Sequence, residues 1–260
     1  MILEWWADRR RRAILAEPFP DAYRAILAAN VPHVELLDDD ERTELERMVQ
    51  VFVAEKNWEG CGGQEIDDEV KVTVAGQACL LILGLDHTLY RNVESILVYP
   101  STVVAPETEV PGTLARGGVP ILGQVMRGGP VILAWDAVKH GAHNPGDGKN
   151  VVYHEFAHKL DLLDGAADGT PPLDREQYDA WVDACGRAYV ELVARSERNR
   201  KTFLDDYGAT NEAEFFAVAT EFFFEKPTQM RKKHPALYAV LRDFYRQDPA
   251  ERRVRADQSA

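Results

Sequence analysis

His154, Glu155 and His158 are the residues of this sequence whose types and spacing do most chemistry together. In the run His154-Glu155-Phe156-Ala157-His158 the two histidines are four apart. A helix turns by about 100° per residue, so they project from one face, one turn above the other. Neutral imidazole suits zinc, and a catalytic zinc typically takes three protein ligands and leaves a fourth position for water. Glu155 adjoins the first histidine, where its carboxylate can accept a proton from that water. This HExxH arrangement points to metal-assisted hydrolysis. Val151, Val152, Phe156, Ala157 and Leu160 flank it, so the helix belongs in a core, where unpaired polar groups are costly.

The third ligand must come from elsewhere, because position 164, six residues after His158, is Asp rather than His. A carboxylate on a later helix is the natural donor, and the candidates are Glu212, Glu214, Glu221 and Glu225. Helical periodicity favours Glu214, which shares a face with Val218 and Glu221, without settling the choice. A competing reading needs no metal: Asn211 caps this helix and Glu214 completes a capping box. Asp161, three residues after His158, either orients a ligand imidazole through its other ring nitrogen or is a helix-end surface carboxylate near Lys159.

The elements that position these groups are legible in outline. Leu45, Met48, Val49, Phe52 and Val53 recur at three and four, predicting a helix from Asp40 to Asn57 that Gly60, Gly62 and Gly63 stop. Residues 67–83 are apolar on more than one side and read as a buried helix. Ile96 to Tyr99, Pro120 to Met126 and Val131 to about Trp135 read as strands, with a turn at Arg127-Gly128-Gly129-Pro130. His140 to Lys149 reads as a polar loop, and Asn150 as the N-cap of the HExxH helix, which runs to about Leu163. Further helices are predicted from Asp174, from Asn211 to Glu225 and from Pro235 to Arg246. His33, His87, His140, His143 and His234 have no partner at ligand spacing and read as surface or capping residues.

Composition narrows the function classes. The 260 residues carry 30 Lys and Arg against 43 Asp and Glu, a net charge of -13, which disfavours nucleic acid and anionic membrane surfaces as partners. The basic run Arg9 to Arg12 is followed by Glu17 and Pro18 rather than by an export-type apolar stretch, and reads as the solvated face of a first helix anchored by Trp5 and Trp6. No segment approaches the roughly 20 apolar residues of a membrane span. Cys61, Cys79 and Cys185 are odd in number and form no CxxC pair, which fits a reducing compartment and a cytoplasmic location.

The segment from His154 to Asp161, together with Tyr207-Gly208-Ala209-Thr210-Asn211-Glu212-Ala213-Glu214-Phe215-Phe216-Ala217, resembles the Mlc titration factor A family of zinc peptidases. The same two motifs are similar to the protease domain of anthrax lethal factor. The resemblance extends to Pro18-Phe19-Pro20, Ala78-Cys79-Leu80-Leu81 and Gly129-Pro130-Val131, so it covers most of the chain. It implies one Zn2+ per chain held by His154, His158 and Glu214, and an oxyanion-binding role for Tyr207 beside the base Glu155. It also implies peptide or protein substrates, and binding to a glucose-uptake repressor of the Mlc type. Some family members carry a further His that closes off the zinc; the corresponding stretch here, Leu114 to Val119, contains none, which implies a position open to water.

The expected fold is α+β: mostly helical and zincin-like, with a small mixed β-sheet and the HExxH helix at the active site. Residues 1–247 are expected to form one domain with a helical N-terminal part to about residue 90, and 248–260 a mobile charged tail.

Overall fold

The computed structural model describes residues 2–85, 87–101 and 129–259; the side chains of 2–8, 87–89 and 259 are outside the description. The N-terminal part is helical: α1 (Ile2–Ala16), α2 (Asp21–Asn30) and α3 (Asp39–Glu55). Asp38 starts α3 with a reciprocal cap, its carboxylate accepting from the Glu41 N–H while the Glu41 carboxylate accepts from the Asp38 N–H. The chain then forms β1 (Asn57–Gly60), α4 (Asp68–Leu81), β2 (Ser95–Tyr99) and β3 (Val131–Ala134).

The three strands form a sheet in the order β1-β2-β3, parallel throughout, with Trp58 opposite Ile96 and Leu97 opposite Ile132. A mixed sheet was expected. One expected strand, Pro120 to Met126, lies outside the described residues, as does the stretch Leu114 to Val119. Parallel neighbours need a crossover, and α4 supplies it between β1 and β2. Every residue of α4 from Val72 to Leu81 is buried, as its lack of a polar stripe requires. At Gly76 an added Cβ would lie 2.5 Å from a Leu27 methyl, which is how closely α2 lies on α4.

The C-terminal half is again helical: α5 (Trp135–His143), α6 (Val151–Asp161), α7 (Arg175–Ser196), α8 (Glu212–Glu225), α9 (Pro227–Lys233), α10 (Pro235–Tyr245) and α11 (Pro249–Ser259). The helix α6 lies between α4 and α8. Phe216, Phe223, Trp181 and Tyr245 build an aromatic core on the face of α8 away from Glu214, and Phe224 packs on both Tyr245 and Tyr153 of α6.

Three expectations are corrected. Asn57 to Gly60 form a strand, because their backbone pairs with β2, although only Trp58 is apolar. The presumed loop from His140 begins inside a helix, α5. The charged tail expected from Asp248 is the helix α11, tied down by the Ala250 N–H donating to the Tyr238 hydroxyl at 3.0 Å and by Arg252, which pairs with Glu41 at 2.6 Å. All three cysteines are free. Among the described residues no helix is long and apolar enough to cross a membrane.

Candidate metal centre

Asn150 starts the helix that carries the HExxH run. Its side-chain oxygen accepts from the Val152 and Tyr153 N–H groups, both at 3.1 Å, satisfying two donors a helix start leaves free. From there α6 points Val152, Phe156 and Leu160 into the core, all fully buried, and turns His154 and His158 toward α8.

Asn211 caps α8 by accepting from the Glu214 N–H at 2.9 Å. The Glu214 carboxylate, however, is directed at the imidazoles and closes no capping box with Asn211, so the reading that needs no metal does not hold for its side chain. Glu214 Oε2 lies 3.0 Å from His154 Nε2 and 3.5 Å from His158 Nε2, and the two ring nitrogens are 3.2 Å apart. A tetrahedral zinc with bonds of about 2.0 to 2.1 Å sets its ligand atoms about 3.3 Å apart, so these three donors fit the ion closely. Among the described residues they are the one group of three His, Cys, Asp or Glu side chains that converges in this way, all ligand atoms within 4.8 Å. Glu212 is exposed, Glu221 meets the other ring nitrogen of His154, and Glu225 turns to the Gly146 N–H.

The carboxylates around the two imidazoles also set the local electrostatics. Burial disfavours charge on His154, yet the carboxylates of Glu214 and Glu221 on its two ring nitrogens raise its pKa well above the usual histidine value. Burial would raise Glu214, but hydrogen bonds from both imidazoles hold it down at about 2. Glu155, half-buried, adds a third carboxylate nearby. Three carboxylates around two imidazoles form a pocket suited to a cation.

Tyr207 sits on a short 3-10 turn, Asp206–Ala209, fixed by Asp205 accepting from its N–H at 2.9 Å. Its ring centre is 5.9 Å from that of His154. Burial, helped by Glu214 and Glu155, pushes its phenol up to about 12, so the hydroxyl keeps its proton at neutral pH.

A family model described as glucose-regulated metallo-peptidase M90 matches residues 4–246. The chain belongs to this family. An uncharacterized protein of Synechocystis sp. is 37% identical over 253 residues, covering 94% of this chain and 90% of the relative. Mlc titration factor A of Salmonella paratyphi A is 31% identical over 252 residues, covering 93% and 90%. The Mlc titration factor A of Serratia proteamaculans is 30% identical over 267 residues, covering 100% and 99%. M90 members are metallopeptidases, and the converging donors described above are where this member can hold a metal.

Two readings of single residues change. Asp161 is neither an imidazole partner nor a surface group: it is fully buried, and its Oδ2 accepts from the Gly169 N–H at 2.9 Å where the chain reverses after α6. Burial raises its pKa to about 6. The imidazole partner is Glu221, whose Oε1 is 2.8 Å from His154 Nδ1. Its spacing of seven from Glu214 was the available signal. His33, expected at the surface, is buried against Tyr153, with the Tyr153 hydroxyl 3.3 Å from Nδ1. His140 stays exposed beside Asp147, and His234 stacks on Phe203.

Proposed function

We propose that the chain is a zinc-dependent aminopeptidase of the cytoplasm, with His154, His158 and Glu214 holding one ion per chain. The observation that carries this reading is the convergence of their donor atoms at 3.0 to 3.5 Å, on two helices packed face to face. Zinc, when bound there, supplies a Lewis acid that lets water ionise near neutral pH. Glu155 takes the proton of the attacking water and passes it to the leaving amine. Tyr207 donates its hydroxyl proton in a hydrogen bond to the developing oxyanion. The strand β3 has β2 on one side only among the described residues, and its other edge pairs with the extended substrate backbone.

A second reading is favoured by the relatives named Mlc titration factor A: the chain binds a transcriptional repressor of the Mlc type. The two activities are compatible, since a base beside the metal ligands serves catalysis and not binding. The test incubates zinc-loaded protein and its Glu155→Gln variant with peptides whose amino ends are free or blocked. The expected result is cleavage of free peptides alone, lost on a scale of about 10²-fold or more in the variant, with zinc still bound. Full activity in the variant would overturn the mechanism. Cleavage of blocked peptides would replace aminopeptidase by endopeptidase action, and cleavage of neither peptide would leave repressor binding as the function.

A further inference from the structure

Glu221 is 8% exposed and sits two turns beyond Glu214 on α8. Each of its carboxylate oxygens has a separate partner in α6 or its N-cap: Oε1 lies 2.8 Å from His154 Nδ1, and Oε2 accepts from the Asn150 N–H at 2.6 Å. The geometry points to Glu221 as a positioning residue that fixes the tautomer and orientation of His154 and sets the catalytic helix at ligand distance from Glu214. This inference rests on the zinc reading above.

Helix geometry makes the arrangement economical. Seven residues carry a helix through almost two full turns, so Glu214 and Glu221 project within roughly 20° of each other. The first reaches the histidines from the side of the ion, and the second grips the back of one imidazole. When Nδ1–H donates to Glu221, the lone pair of Nε2 is left facing His158 and Glu214, the orientation a metal needs. A ring flip would break that bond. The second oxygen works at the start of the same helix. Asn150 accepts from the His154 N–H through its carbonyl at 3.0 Å and caps Val152 and Tyr153 through its side chain. By holding the Asn150 N–H, Glu221 therefore places the backbone from which His154 hangs as well as its ring.

Glu225 provides the comparison. It lies one turn further on, is 2% exposed, and ties the loop before α6 through the Gly146 N–H and the Asn150 side chain, 3.4 Å away. It makes no contact with an imidazole among its hydrogen bonds. A merely structural role for Glu221 predicts that both glutamates behave alike.

The experiment measures zinc affinity by competition with a chromogenic chelator, and thermal stability of the zinc-free protein, for wild type, Glu221→Gln, Glu225→Gln and His154→Ala. Glutamine keeps the size of the side chain but cannot accept from both groups as an anion. The expected result for Glu221→Gln is a zinc affinity about 10- to 100-fold lower, with one ion per chain still bound at saturation. Glu225→Gln is expected to stay within about threefold of wild type, on a scale set by the same loss. Wild-type affinity in Glu221→Gln, with His154→Ala abolishing binding, would overturn the positioning role and leave the zinc site standing. Parallel losses of affinity and zinc-free stability in both glutamine variants would reduce Glu221 to a structural tie. Failure of wild type to bind zinc would overturn the site reading and this inference with it.

Discussion

Tyr207 is 38% exposed at the edge of the ligand cluster, and its raised pKa of about 12 makes it a hydrogen-bond donor across the neutral range. Removing its hydroxyl should therefore act on the transition state and not on the fold or the metal. Tyr207→Phe is expected to lower kcat by about 10²- to 10³-fold, on the order of 3 kcal/mol, with KM and zinc content near wild type. Steady-state kinetics on a free peptide check it, and an unchanged kcat would remove Tyr207 from the mechanism. The residues of the site differ in how far spacing alone identifies them. His154, Glu155 and His158 share one helix, so their relation is readable from a period of 3.6. Glu214 is on another helix, and periodicity left it among Glu212, Glu221 and Glu225 until the family resemblance singled it out. Glu221, not Asp161, is the imidazole partner for a related reason. Asp161 is the nearer in sequence, but the Gly169 N–H claims its carboxylate, and the group that meets His154 Nδ1 comes across the packing of α6 on α8. Such a contact is tertiary and has no local spacing.

At the scale of elements, the site depends on how the chain leaves α6 and returns toward α8. Gly169 has φ of 78°, in the left-handed region, and an added Cβ would stand 2.3 Å from the Glu212 carbonyl oxygen. Both the conformation and the close approach to the start of α8 call for glycine here. Gly169→Ala is expected to destabilise the protein by about 1 to 3 kcal/mol, read as a lower urea midpoint, and a midpoint equal to wild type would show that the loop yields at no cost. Elements with a long apolar signal were legible, α3 through a one-sided helical period and α4 and α8 through burial on nearly every side. The missed elements lack it. Asn57 to Gly60 owe their strand form to pairing with β2, Trp135–His143 has a short apolar face of Trp135, Val138 and Ala142, and Pro249–Ser259 is highly charged. In α11 a few fixed points replace a hydrophobic stripe: the buried Ala250 and the Arg252 pair with Glu41, 211 residues away in sequence.

Across the whole molecule, His33 joins the N-terminal helices to the catalytic helix and the C-terminus. It lies in the 3-10 turn Pro32–Leu36, packs on Tyr153 of α6, and is 7% exposed. Burial, and then the positive charges of Arg253 and Arg252 from α11, lower its pKa from 6.5 to about 4. In the window from about 6.5 down to about 4 the unfolded chain binds a proton that the native protein refuses. The stability His33 contributes is therefore full above 6.5 and is lost progressively as pH falls toward 4, a change of roughly 3 kcal/mol at most. Glu225 acts with the opposite sign. Its pKa is raised from 4.5 to about 7, chiefly by burial, so the native state holds a proton the unfolded chain has released, and stability falls as pH rises through that window. Asp161, raised to about 6 by burial, adds to the slope of Glu225, so the wild-type profile is a balance of opposing slopes and a single curve cannot isolate His33. The comparison of wild type with His33→Asn can. Urea unfolding at half-unit steps from pH 4 to pH 7 is expected to show that the stability gap between the two proteins shrinks as pH falls, because the variant has no imidazole to protonate on unfolding. A gap that stays constant over that range would mean that His33 takes up its proton alike in the native and unfolded protein, and that burial at the junction between the N-terminal helices and α6 does not hold back its charge.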